Sequence, residues 1–73
     1  MSQLILNALI KEAEAKEAKA IANLQNYMSN PAGIGEHPDI VVECMKLVKD
    51  IAEAREIKET VSSLVEQSSN NQE

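Results

Sequence analysis

His37 is the one histidine and Cys44 the one cysteine in a chain of 73 residues. These are the side chains best suited to metal binding and nucleophilic work near neutral pH. A metal site would need His37, Asp39 and Cys44 to converge, with Glu36 beside them. The spacing argues against it, because neither CxxC nor HxxxH occurs. Cys44 also falls on an apolar helical stripe, where cysteine behaves as a small inert hydrophobe. His37 reads as a loop or capping residue. Gly33 and Gly35 flank Ile34, but a phosphate loop needs a longer glycine-rich run ending in Lys and Ser/Thr, and Glu36 would repel the phosphate. The two glycines read as turn positions. Ile34 between them reads as a plug for the end of a helical bundle, or as an anchor for a partner.

Carboxylate pairs such as Glu12/Glu53 and Glu56/Glu59 have the residue types of a general acid and base. They lack the pocket that would shift a pKa, so they read as solvated helix faces. The Glu-x-x-His motif of di-iron bundles does not occur. The sequence therefore predicts a protein that is not an enzyme and needs no cofactor.

The elements that would carry these residues are plain. No Gly or Pro interrupts residues 3–29, and Lys11–Ala20 consists only of Ala, Glu and Lys, which lose little freedom in a helix. Ser2 suits an N-cap, and Glu12–Lys16 is an i,i+4 pair in the favourable order. Large apolar residues recur at Leu6, Ile10, Leu24 and Tyr27 or Met28, with Ala13 and Ala20 between them. The stripe lapses at Glu17, and the middle of the helix is slim. A slim middle allows close approach of a neighbour, or else packs weakly.

Asn30-Pro31 must end this helix, because proline disfavours the α conformation in the residue before it. A loop over 30–37 follows, and Pro38 suits the first turn of a second helix predicted to run to about residue 65. Its stripe is Val41, Cys44, Val48, Ile51, Ala54, Ile57 or Lys58, Val61, and Leu64 or Val65, widened by Ile40 and Leu47. Residues 67–73, QSSNNQE, hold no apolar side chain and predict a disordered tail. Two matched helices joined by a short loop predict an all-α, antiparallel two-helix hairpin over residues 1–66.

Composition narrows the function classes. Seven Lys+Arg against twelve Asp+Glu give a net charge of −5, which argues against direct nucleic-acid binding. Residues 1–37 carry three Lys against four acids, and residues 38–73 four bases against eight. No apolar run approaches the ~20 residues of a membrane span, and Met1-Ser2-Gln3 lacks the charge of a signal peptide, so a cytoplasmic location is expected. One Tyr, no Phe and no Trp make a small core. Without a disulfide or metal, a lone hairpin of this size is marginal. The expectation is self-association through Leu6, Ile10, Ala13, Ala20, Leu24, Val41, Cys44, Val48, Ile51, Ala54 and Val61, as a homodimer forming a four-helix bundle.

The segment Gly33–Pro38, GIGEHP, following an Ala/Glu/Lys-rich helix and leading into a second amphipathic one, resembles small uncharacterised helical proteins of tailed phages that infect marine bacteria. The resemblance implies action in the host cytoplasm or in the particle, on a host or virion protein, and assigns no residue a role. Ile34, Glu36 and His37 are then the candidate partner-binding loop. The function expected is a small acidic interaction protein; the alternative is an acidic mimic of nucleic acid that occupies a basic host surface through its second helix.

Overall fold

The computed structural model describes residues 3–29 and 39–70, with side-chain surroundings given through residue 67. Two helices account for them: α1, Gln3–Ser29, and α2, Ile40–Asn70. The predicted 30–37 loop, including Gly33, Ile34, Glu36 and His37, lies outside the described residues, as do Ser2, Pro38 and 71–73.

The bounds of α1 are those the uninterrupted run of helix formers predicts. In contrast, α2 starts two residues later than Pro38. Asp39 is its N-cap: the carboxylate Oδ1 accepts the Val42 N–H at 3.1 Å, and the Asp39 carbonyl accepts the Glu43 N–H at 3.3 Å. At its other end α2 continues to Asn70, so residues 66–70 are helical and the predicted tail is shortened. Gln, Ser and Asn are middling helix formers, and with no Gly or Pro to stop it an established helix gains one hydrogen bond for each residue it adds.

The helices lie antiparallel. Residues 16 and 17 of α1 are tied to residues 53–58 of α2, whereas Ala20 and Asn23 share a groove with Leu47 and Asp50. The Cα atoms span 57 × 16 × 14 Å with a radius of gyration of 16.6 Å. A compact chain of this length would have about 11 Å. The rod has one interior, the line where α1 meets α2.

That line keeps strict steps of four and three. In α1 it runs through Leu6, Ile10, Ala13, Glu17, Ala20, Leu24 and Tyr27, all buried or half-buried. In α2 it runs through Ile40, Cys44, Leu47, Ile51, Ala54, Lys58, Val61 and Val65. A repeat of 3.5 residues is the coiled-coil repeat, which keeps one seam facing its partner when helices wrap left-handedly. Tyr27 takes the seam position and Met28 stands outside, 71% exposed. The slim centre is closely packed: Ala13, Ala20 and Ala54 are among the best-covered residues, Ala54 completely.

Two positions of the predicted stripe are corrected. Val41 and Val48 are 69% and 47% exposed, and Ile40 and Leu47 hold the seam instead. Each pair of neighbours is apolar, so spacing within α2 cannot choose between them. The 3.5-residue rhythm from Val65 back through Ile51 and Cys44 selects 40 and 47. Val41 and Val48 then fall on an exposed flank of α2, with Met45 between them.

The close approach at Ala54 is open to test. Ala54→Leu adds bulk where no free volume exists and is expected to cost about 1–3 kcal/mol. Ala52→Leu, on an exposed face, is expected to leave the thermal midpoint of circular dichroism within a few degrees of the parent. Equal midpoints for the two variants would show that the helices are not in close contact at residue 54.

Candidate functional site

Of the residues singled out for metal or nucleophilic chemistry, Glu36 and His37 lie outside the described residues, which leaves Asp39 and Cys44. The Asp39 carboxylate is engaged as the cap of α2, and Cys44 is half-buried in the seam. Among the described residues no group of three His, Cys, Asp or Glu is placed to hold a metal ion. Nor, among them, is any helix long and apolar enough to cross a membrane. Of the carboxylate pairs, Glu53 and Glu56 line an open groove of about 320 Å³ along α2 with Ile57, Thr60 and Val61. Glu53 Oε1 accepts a hydrogen bond from Lys16 Nζ, and that bond holds its carboxyl below the ordinary value.

Lys16 is thereby committed across the seam. The predicted Glu12–Lys16 pair gives way to Lys16–Glu53, which joins the two helices. The pairs within one helix are Lys11–Glu14 at 3.5 Å and Lys46–Glu43 at 3.4 Å, both on the solvated surface.

The most organised polar group is one that the sequence marks only as a gap. Glu17 occupies a seam position, and its side chain is 15% exposed. Lys58, at a seam position of α2, donates from Nζ to Glu17 Oε1, while Arg55 Nε donates to Oε2 at 2.6 Å. Both carboxylate oxygens are therefore engaged by cations of the opposite helix. The Lys58 hydrogen bond, followed by that of Arg55, lowers the Glu17 pKa, and burial opposes them. Among the described residues no buried side-chain nitrogen or oxygen lacks a partner. The register of these ties sets Ala54 about level with Glu17, and Ala13 about level with Lys58. Each long polar side chain thus has the smallest available neighbour across the seam. The one signal for this in the sequence is that Glu17 and Lys58 both continue a four-and-three series of apolar positions.

The remaining candidate surface is apolar. Val41, Met45 and Val48 are exposed at i, i+4 and i+7 on a flank of α2 outside the seam, and Ala52 continues the series. Of the residues expected to mediate self-association, Leu6, Ala13, Ala20, Ile51, Ala54 and Val61 are buried between the two helices of one chain. Ile10, Leu24 and Cys44 are half-buried there, and Val41 and Val48 face outward. Exposed Leu4 and Leu9 lie near the start of α1, at the opposite end of the rod.

The ion pairs give a pH dependence of defined sign. Glu17 and Glu53 have lowered pKa values in the folded chain against 4.5 ordinarily. Their contribution is present above about 4.5 and is lost as pH falls through the folded values, because the unfolded chain then binds protons more readily. Helicity of the parent is expected to fall off in acid more steeply than that of Glu17→Gln, which has no proton to bind at residue 17. Superimposable acid titrations of the two, followed by circular dichroism, would exclude the Glu17 pairs as a source of stability. No protein-family model, no curated protein and no solved structure matches this chain.

Proposed function

We propose that this chain is a non-enzymatic interaction protein: a helical hairpin that associates with a second copy of itself and presents its charged outside or its 30–37 segment to a protein partner. The observation that carries the reading is the outward stripe Val41, Met45, Val48 and Ala52. It has the same repeat as the seam, but among the described residues no helix lies across it. Surface area supports the reading. The chain exposes 5537 Å², about a quarter more than the ~4,450 Å² of a compact monomer of its mass. The difference exceeds the ~800 Å² that each partner buries in a standard interface. Packing two hairpins along this stripe would give a four-helix assembly with the large residues of α2 at its centre.

A host or virion protein as the further partner rests on the phage-like GIGEHP segment, whose candidate contact residues are Ile34, Glu36 and His37. The alternative, an acidic mimic, draws on the excess of acids over bases in residues 38–73.

Light scattering on the purified chain at micromolar concentration is expected to give about twice 8.0 kDa. Val48→Glu is expected to halve that mass while leaving helicity intact, because residue 48 lies outside the seam. Ile51→Asp, which puts an unpaired charge into the seam, is expected to cost several kcal/mol and to melt the hairpin itself. A stable monomer for the parent, or an unchanged mass for Val48→Glu, would overturn the dimer. Affinity for a captured partner that collapses between low and moderate salt would favour the mimic over an apolar interface.

A further inference from the structure

We infer that Glu17, with Lys58 and Arg55, is the specificity element of the hairpin: it confines α1 to pairing with α2 in the observed register and prevents α1 from pairing with α1 of another copy. This does not depend on the outward stripe and holds whether the chain is monomeric or dimeric.

The inference follows from where the charges fall in the repeat. The α1 seam has seven positions from Leu6 to Tyr27, and Glu17 is the fourth. Two α1 helices aligned in parallel place Glu17 against Glu17. Two aligned antiparallel, with Leu6 opposite Tyr27 and Ile10 opposite Leu24, also place Glu17 against Glu17. Either arrangement that matches the whole stripe brings two carboxylates together, with no cation at any α1 seam position to separate them. Like charges in a seam are strongly disfavoured and are a known means of rejecting partners.

The α2 helix carries the complementary restriction. Aligned in parallel with its copy, it sets Lys58 against Lys58. Aligned antiparallel, with Ile40 opposite Val65, it sets Lys58 against Leu47 and leaves an ammonium without a partner. Only the pairing of α1 with α2 neutralises the polar layer, because Glu17 then accepts from both Lys58 and Arg55. A slip by one heptad toward the start of α1 would move Lys58 about 10 Å further from Glu17, and a slip the other way would carry Arg55 from the level of Lys16 to that of Asn23, so neither keeps both cations on the carboxylate. The Lys16–Glu53 pair on the other flank is tuned to the same register.

Ion pairs of this exposure add little to stability on their own. Their effect is on the alternatives, as for a single polar residue that fixes the register of a coiled coil at some cost in stability. An α1 with Leu at position 17 would have seven uninterrupted apolar or alanine positions and no means of distinguishing α2 from another α1.

Thiol cross-linking in the full-length chain tests this. With Cys44→Ser as background, Ala13→Cys and Ala20→Cys place thiols at seam positions of α1 only. Parallel α1 pairs would join 13 to 13 and 20 to 20, and antiparallel pairs 13 to 20. Both give a covalent dimer under a glutathione redox buffer, and residues 13 and 20 of one helix lie too far apart to bond each other. With Glu17 present, little covalent dimer is expected; with Glu17→Leu, at least tenfold more. Equal cross-linking in the two chains would overturn the inference. A second arm keeps the result clear of folding defects. The triple reversal Glu17→Lys, Arg55→Glu, Lys58→Glu restores opposite charges and is expected to regain the parent's helicity and low cross-linking, whereas Glu17→Lys alone does not. Failure of the reversal to restore low cross-linking would also overturn it.

Discussion

The whole structure depends on a single line of side chains from which water is excluded. Two helices make one contact line, and a rod 16 by 14 Å across has no second layer in which to hide apolar groups. Continuity of the 3.5-residue repeat therefore matters more than the identity of most residues on it. Leu6, Ile51 and Val61 supply bulk at separate levels, while Ala13, Ala20 and Ala54 bring the backbones together between them. Small residues in the middle of a seam do not by themselves mean weak packing. They allow close approach, and here Ala54 and Ala13 also make room for the long charged side chains Glu17 and Lys58 at neighbouring levels.

This arrangement explains why a carboxylate is tolerated on the line at all. An isolated charge in that position would be costly. Glu17 instead has both oxygens engaged by cations from the facing helix, and the end of its side chain remains near enough to solvent that burial is incomplete. The layer contributes more to choosing a partner than to the strength of pairing. Without it, a stripe of Leu, Ile and Ala would accept many similar stripes in several registers. Helix α1 is rich in Ala, Glu and Lys and helical by propensity alone, so the information about what it should pair with must come from a few positions such as this one.

Much of the architecture was legible in the residues. The two helices follow from runs without Gly or Pro, and the bounds of α1 needed nothing more. The errors have physical causes. Spacing within α2 leaves Ile40/Val41 and Leu47/Val48 degenerate, and only the facing helix breaks the tie. The polar run after residue 66 reads as tail because it has nothing to bury, yet backbone hydrogen bonding carries the helix to Asn70. Asp39 reads as a candidate metal ligand beside His37, but its carboxylate has a local role, accepting the Val42 N–H as the cap of α2. The Glu17 cluster was not legible from a hydrophobic pattern, since such a pattern scores a charged residue as an interruption. Treating Glu17 and Lys58 as opposite charges at two positions of one repeat would have revealed it.

The outward stripe completes the logic of the seam. Because the inner line is occupied within the chain, the association proposed above between hairpins would have to use the exposed flank of α2. There Val41, Met45, Val48 and Ala52 cover only the first three turns, after which Arg55, Glu56 and Glu59 take over the exposed faces. An interface built on that stripe would be limited to one end of the rod and would leave the far half of α2 charged and solvated. Apolar area is thus concentrated where two hairpins can meet, and charge where they would otherwise continue to stack. A stripe running the full length of α2 would favour side-by-side addition of further copies, whereas one that ends early is compatible with the closed pair proposed above.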